Sequence, residues 1–94
     1  MLIYNMNDLS KYSNFSAIKA KGKRLGFDVL RSTRKDKKYM IIHDGKKIHF
    51  GQMGYEDFSK HKDDKRRSNF LKRNANWKNA GKYTPAYLSY HILW

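Results

Sequence analysis

Lys38-Tyr39-Met40-Ile41-Ile42-His43-Asp44-Gly45-Lys46-Lys47-Ile48-His49-Phe50-Gly51 is the stretch that decides how this chain folds. Asp44-Gly45 lies between two runs of strand-forming residues. A two-residue hairpin turn needs positive φ at its central positions, which Asp-Gly accepts at low cost. A turn there sets the register: His43 opposite Lys46, Ile42 opposite Lys47, Ile41 opposite Ile48, Met40 opposite His49 and Tyr39 opposite Phe50. Side chains alternate along a strand, so Tyr39, Ile41, Ile48 and Phe50 form one apolar face that needs a cover. The opposite face, with Met40, Ile42, Lys47 and His49, is half polar.

Working outward, Phe27 to Ser32 reads as a further strand, with Phe27 and Val29 on one face and Leu30 on the other. Thr33 to Lys37 is a charged connection, so the strands form an antiparallel meander. After Gly51-Gln52-Met53-Gly54 the pattern turns helical, and this half of the chain is expected to supply the cover. Tyr55 to His61 reads as a short helix with Tyr55 and Phe58 on one side. Asp63 or Asp64 caps a longer helix to about Trp77. On its wheel Phe70, Leu71, Asn74 and Trp77 oppose Lys65, Asn69, Lys72, Arg73 and Asn76. Arg67 falls inside the apolar arc, where it either lifts its head to water or pairs with Asp57 or Asp63. After a loop over residues 79–83, Thr84-Pro85 is a strong helix start. That last helix carries Pro85, Leu88, Ile92 and Leu93 on one arc. Tyr87, Tyr90 and Trp94, with His91, form a second arc that is expected to serve a partner interface.

Residues 1–26 read as an N-terminal arm, partly helical. Leu2, Ile3, Tyr4 and Met6 suit an edge strand or a docking arm. Leu9, Tyr12, Phe15 and Ile18 recur at helical spacing, with Ser13 or Asn14 as cap and Lys21 to Gly26 as the end. The expected organisation is this arm followed by a single α+β domain over residues 27–94. Its core is a small three-stranded antiparallel sheet covered by two or three helices.

Charge dominates the composition. The 94 residues carry 21 Lys and Arg against 8 Asp and Glu, a formal net charge of +13, with 15% aromatic residues and no cysteine. Disulfides and thiolate metal sites are thereby excluded. Neither a run of eighteen apolar residues nor a signal-peptide pattern occurs, so no membrane association is expected. Such a surplus of positive charge attracts polyanions, nucleic acid above all, with DNA favoured over RNA here. Because no single run is basic enough alone, the expected phosphate-contacting set is drawn from separate segments. It comprises Arg34, Lys35, Lys37 and Lys38 before the hairpin turn, Lys46 and Lys47 after it, and Lys65, Lys72 and Arg73 on the long helix. Lys19, Lys21, Lys23 and Arg24 are a further candidate cluster. For base stacking, Tyr83, Tyr87 and Trp94 are the rings of interest.

Catalytic chemistry finds little support. His43, His49, His61 and His91 with Asp44, Asp57, Asp63 and Asp64 include the residue types of a metal-dependent nuclease. No pair has ligand spacing, however, and His43 and His49 lie on opposite faces of the hairpin. Gly51 and Gly54 lack the Gly-Lys-Ser/Thr of a phosphate-cradling loop. No catalytic residue, metal or cofactor is expected.

Ile48-His49-Phe50-Gly51, Gly54-Tyr55-Glu56-Asp57-Phe58 and His61-Lys62-Asp63 form a distinctive set. With Arg66 or Arg67, Phe70, Arg73, Trp77 and Leu93-Trp94, they make residues 38–94 resemble a functionally uncharacterised family of small basic proteins from giant (nucleocytoplasmic large) DNA viruses. The resemblance implies a virion setting, with the host cytoplasm or nucleus during infection, and carries over no catalytic residue. The expected function is a non-enzymatic, sequence-tolerant nucleic-acid-binding protein. The alternative is a minor shell protein that binds acidic virion proteins.

Overall fold

A computed structural model describes residues 9–94. Leu2, Ile3, Tyr4 and Met6, with the edge strand or arm expected of them, lie outside the described residues. The elements are α1 (Phe15–Arg24), β1 (Leu30–Arg31), β2 (Lys37–His43), β3 (Lys46–Gln52), α2 (Phe58–His61) and α3 (Asp64–Arg73). A 3-10 turn (Ala75–Asn79) follows, then α4 (Pro85–Leu88), which runs into a π-type turn (Ser89–Leu93).

The hairpin forms as its turn dictates. Asp44 and Gly45 have φ of 52° and 77°, and each expected pair from His43–Lys46 to Tyr39–Phe50 is present. The three strands lie in the antiparallel order β1-β2-β3. The first strand is shorter than expected and pairs only through Leu30–Met40 and Arg31–Tyr39. Phe27 and Val29 before it are buried in the core rather than laddered.

Tyr39, Ile41 and Phe50 are buried, and Ile48 packs partly against them, so the apolar face is the one the register predicts. Its cover comes only in part from the helical half that was expected to supply it. Leu9, Ile18, Phe27 and Val29 come from the N-terminal side, and Leu88, Ile92 and Leu93 from the last helix. Residues 9–26 are therefore part of the domain, not a separate arm. Helix α1 is capped by Asn14, whose side chain accepts from Ala17 N, and Gly22 lets it lie against Val29, where a Cβ would collide with Cγ2. Helix α3, part of the half expected to supply the cover, buries no residue fully. Its apolar arc of Phe70 and Leu71 is too narrow to seal a sheet. The expected run to Trp77 breaks at Asn74, whose amide donates to Phe70 O at 3.0 Å, and a 3-10 turn continues the chain.

Caps follow the sequence closely. Asp63 accepts from Lys65 N and Arg66 N to open α3, and Thr84 accepts from Tyr87 N with Pro85 in the first turn of α4. The short helix before α3 begins only at Phe58, capped by Asp57, which leaves Tyr55 exposed rather than beside Phe58. Arg67 takes neither of its expected carboxylates: Asp57 is occupied by Lys38 and Asp63 by its cap. Its Nε donates instead to the backbone oxygen of Trp94 at 2.6 Å, and its guanidinium lies 5.3 Å from the Phe58 ring centroid. It is half-buried, whereas Lys65, Lys72 and Arg73 are exposed.

Candidate nucleic-acid interface

The base of the hairpin, α3 and the C-terminal turn meet around a cleft of about 590 Å³. One wall is the start of β2 and the end of β3, with Lys37, Gly51 and Gln52. The other is a stripe of α3 and the turn after it: Arg66, Asn69, Phe70, Arg73 and Trp77. Asn69, Phe70 and Arg73 lie three, four and seven residues from Arg66, on one side of α3. Asn69 and Arg73 thus stand beside Phe70 and not on the opposite arc expected for them, and Trp77 follows in the 3-10 turn. Leu93 and Trp94 of the C-terminal turn, and Tyr55 and Glu56 of the loop before α2, also line it.

Gly51 makes the junction possible. Its φ is 84°, and a Cβ would come within 3.0 Å of Leu93 Cδ1 and 3.3 Å of Lys38 Cβ. Leu93 can thus pack down beside the strand and carry Trp94 to the cleft. The Trp94 ring stacks on Phe70 at 4.3 Å, and Phe70 meets Trp77 edge-on at 5.9 Å. Tyr55 is 70% exposed and packs on no other ring among the described residues.

Beneath the cleft is a buried polar chain. Lys38 Nζ donates to Asp57 Oδ2 at 3.1 Å, and the two side chains are only 3% and 1% exposed. Asp57 Oδ1 accepts from the backbone N–H and the hydroxyl of Ser59. Ser59 Oγ accepts from Asn14 N, and Ser13 Oγ lies within hydrogen-bond distance of both Ser59 Oγ and the Tyr39 hydroxyl. Burial lowers the pKa of Lys38, and the charge of Asp57 opposes that effect. Burial also raises that of Tyr39 far above its usual 10, with Ser13 acting in the other direction. A buried charge is tolerated only when paired and hydrogen-bonded, and every member here has a partner.

This removes Lys38 from the expected phosphate-binding set, because an ammonium sealed against Asp57 cannot reach a phosphate. Arg34 is exposed but holds Asp36 through two hydrogen bonds of 3.0 and 2.8 Å, so its charge is partly used within the loop. Lys35, Lys46, Lys47, Lys65, Lys72 and Arg73 are exposed, and among the described residues none forms an ion pair with a carboxylate. Lys37 is half-buried and donates to Gln52 Oε1 at 3.3 Å. Of the expected set, Lys37, Lys38 and Arg73 line the cleft, Lys38 with its ammonium held by Asp57. Lys46 and Lys47 sit at the far end of the hairpin, roughly 20 Å along the strand. In the second basic cluster, Lys19 pairs with Asp28 at 3.4 Å, and burial with the nearby Arg67 lowers the pKa of Lys21.

The expected partner face is largely used within the fold. Tyr87 packs against the core beside Phe27 and His91, and Trp94 belongs to the cleft. Tyr90 is half-buried beside His91. Tyr83 stacks on His43 at 3.5 Å with the Lys82 ammonium 5.6 Å away, which limits its use for base stacking. Among the described residues no group of three or more His, Asp or Glu could hold a metal ion. His61 Nδ1 accepts from Asp63 N, and burial followed by the charge of Arg66 lowers the ring's pKa. Tyr55, Arg66 and Trp77 line the cleft but are absent from the expected site. The stripe Arg66, Asn69/Phe70, Arg73, Trp77 was the signal that could have found Arg66 and Trp77; Tyr55, in the loop before α2, carries no such periodicity.

A family model matches residues 27–74, which span the sheet and α3. The chain belongs to DUF5754, a family of unknown function. The match takes in Arg66, Asn69, Phe70 and Arg73 of the cleft and stops before Trp77. No curated protein and no solved structure gives a significant match to this DUF5754 chain.

Proposed function

We propose that this protein is a non-enzymatic, sequence-tolerant nucleic-acid-binding protein of a large DNA virus, associated with the virion. The observation that carries the reading is cationic charge without internal partners. Asp28, Asp36, Glu56 and Asp57 each hold a lysine or arginine, and Asp63 is a helix cap. Lys35, Lys46, Lys47, Lys65, Lys72 and Arg73 stay exposed around a chain of net charge +13. Cations of this kind gain by releasing the counterions of a phosphate backbone, whatever its sequence. The viral setting rests on the resemblance over residues 38–94.

The test is a titration of labelled DNA of several sequences over a range of salt. Affinity should fall steeply with salt and vary little with sequence. Changing Lys72→Glu and Arg73→Glu together should weaken binding to all sequences alike and flatten the salt slope, with the urea midpoint little altered. Absence of binding to DNA or RNA at low salt would overturn the proposal and favour a shell protein docked on acidic virion components.

A further inference from the structure

We infer that the cleft between the hairpin base and α3 seats an unpaired base of a single strand, with the strand's phosphates held by Arg66, Arg73 and Lys37. This rests on the nucleic-acid reading and specifies its strand form. A cleft of about 590 Å³ lies within the range of small-ligand sites and can accept a nucleotide. A duplex cannot enter it, because paired bases are stacked inside a helix far wider than the cleft. Rings at its mouth and wall can therefore meet only a base that has left the stack.

The residues suit that occupant in three ways. Tyr55, 70% exposed in the loop before α2, offers a ring face that no other described ring covers. Trp77 adds a second ring, held from one side by the edge-on contact with Phe70. Arg66 and Arg73 are seven residues apart on α3, about 10 Å along its axis. That is too far to clamp one phosphate jointly but suits successive phosphates of a strand crossing the cleft. Lys37 faces them from the sheet wall, and the Asn69 amide can meet a base edge without selecting one base. The charge balance favours an anion: Lys38 and Asp57 neutralise each other, and Lys37, Arg66 and Arg73 outnumber Glu56, whose single 3.5 Å contact with Arg66 leaves that guanidinium other donors for a phosphate.

The experiment compares a labelled oligothymidylate with a hairpin duplex of equal phosphate number, at one salt concentration, on the full chain and on Tyr55→Ala. Tyr55 is exposed, so the variant should fold as the parent does, checked by its urea midpoint. The expected result is tighter binding of the single strand and a roughly tenfold loss for Tyr55→Ala on the single strand alone. In a Trp94→Phe variant the remaining Trp77 fluorescence should be quenched by oligothymidylate and not by duplex. If both forms bind equally and Tyr55→Ala changes neither, the cleft is not the seat, while the nucleic-acid proposal stands. If neither form binds, both readings fall. If a polyglutamate peptide quenches Trp77 and oligothymidylate does not, the cleft takes an acidic protein segment and the inference is overturned.

Discussion

The two ends of one hairpin show opposite treatments of the same residue type. At the tip, Lys46 and Lys47 follow the turn in solvent, and Ile42 is left 55% exposed. At the base, Lys38 is 3% exposed, paired with Asp57 and packed beside Leu93 over Gly51. Strand alternation cannot distinguish these lysines, since Lys38 and Lys47 both lie off the Tyr39–Phe50 face. The difference comes from what approaches. At the tip Tyr83 stacks on His43 and brings no carboxylate to Lys46 or Lys47, whereas the base receives α2 and the C-terminal turn, which bring the carboxylate and the apolar packing together. A lysine's role in a small basic domain is thus set by whether a remote carboxylate reaches it.

The largest expected effect is at the base. Asp57→Ala strands the Lys38 charge and removes the cap of α2, and should cost about 3–5 kcal/mol in urea unfolding. A loss under about 1 kcal/mol would mean that the pair is solvated and that the two ends are alike.

Two glycines sharpen the contrast at the next level. Gly45 and Gly51 have similar positive φ, 77° and 84°, but a Cβ on Gly45 meets nothing within 4 Å, whereas one on Gly51 meets Leu93 at 3.0 Å. Gly45→Ala should therefore cost only the backbone strain, about 1 kcal/mol. Gly51→Ala should add overpacking, for about 3 kcal/mol in total. Equal thermal shifts in the two variants would refute the close packing at Gly51.

Alkaline titration probes the buried chain. Tyr39 keeps its proton well above 10 in the folded state, while the unfolded chain loses it near 10. Above that pH the unfolded state binds fewer protons, so the contribution of Tyr39 is complete below pH 10 and lost as pH rises beyond it. Between pH 10 and 11 the parent should lose roughly 1 kcal/mol that Tyr39→Phe does not. Parallel curves for the two proteins would show that Tyr39 is not sealed.

The smallest effect belongs to the tip. Lys46→Gln with Lys47→Gln should change stability by less than about 0.5 kcal/mol. Their effect on DNA binding should be a modest reduction in the salt slope, equal for single strand and duplex.

The sequence by itself determined the elements whose causes are local. Asp44-Gly45 set the turn and hence the register, and Thr84-Pro85 set a helix start, while two others were narrowed to Ser13 or Asn14 and Asp63 or Asp64, because caps and turns depend on neighbours a few residues away. The identity of the apolar sheet face followed from the register. Only the tertiary structure decided that α1 and the C-terminal turn cover the sheet, that Lys38 is sealed while Lys37 lines a cleft, and that Arg67 answers to Trp94 rather than to Asp57. Each of these depends on residues distant in the chain: Lys38 meets Asp57 across 19 positions and Arg67 meets Trp94 across 27. Periodicity assigns a residue to a face, but the cost of burying a charge is settled by the partner that the whole fold delivers.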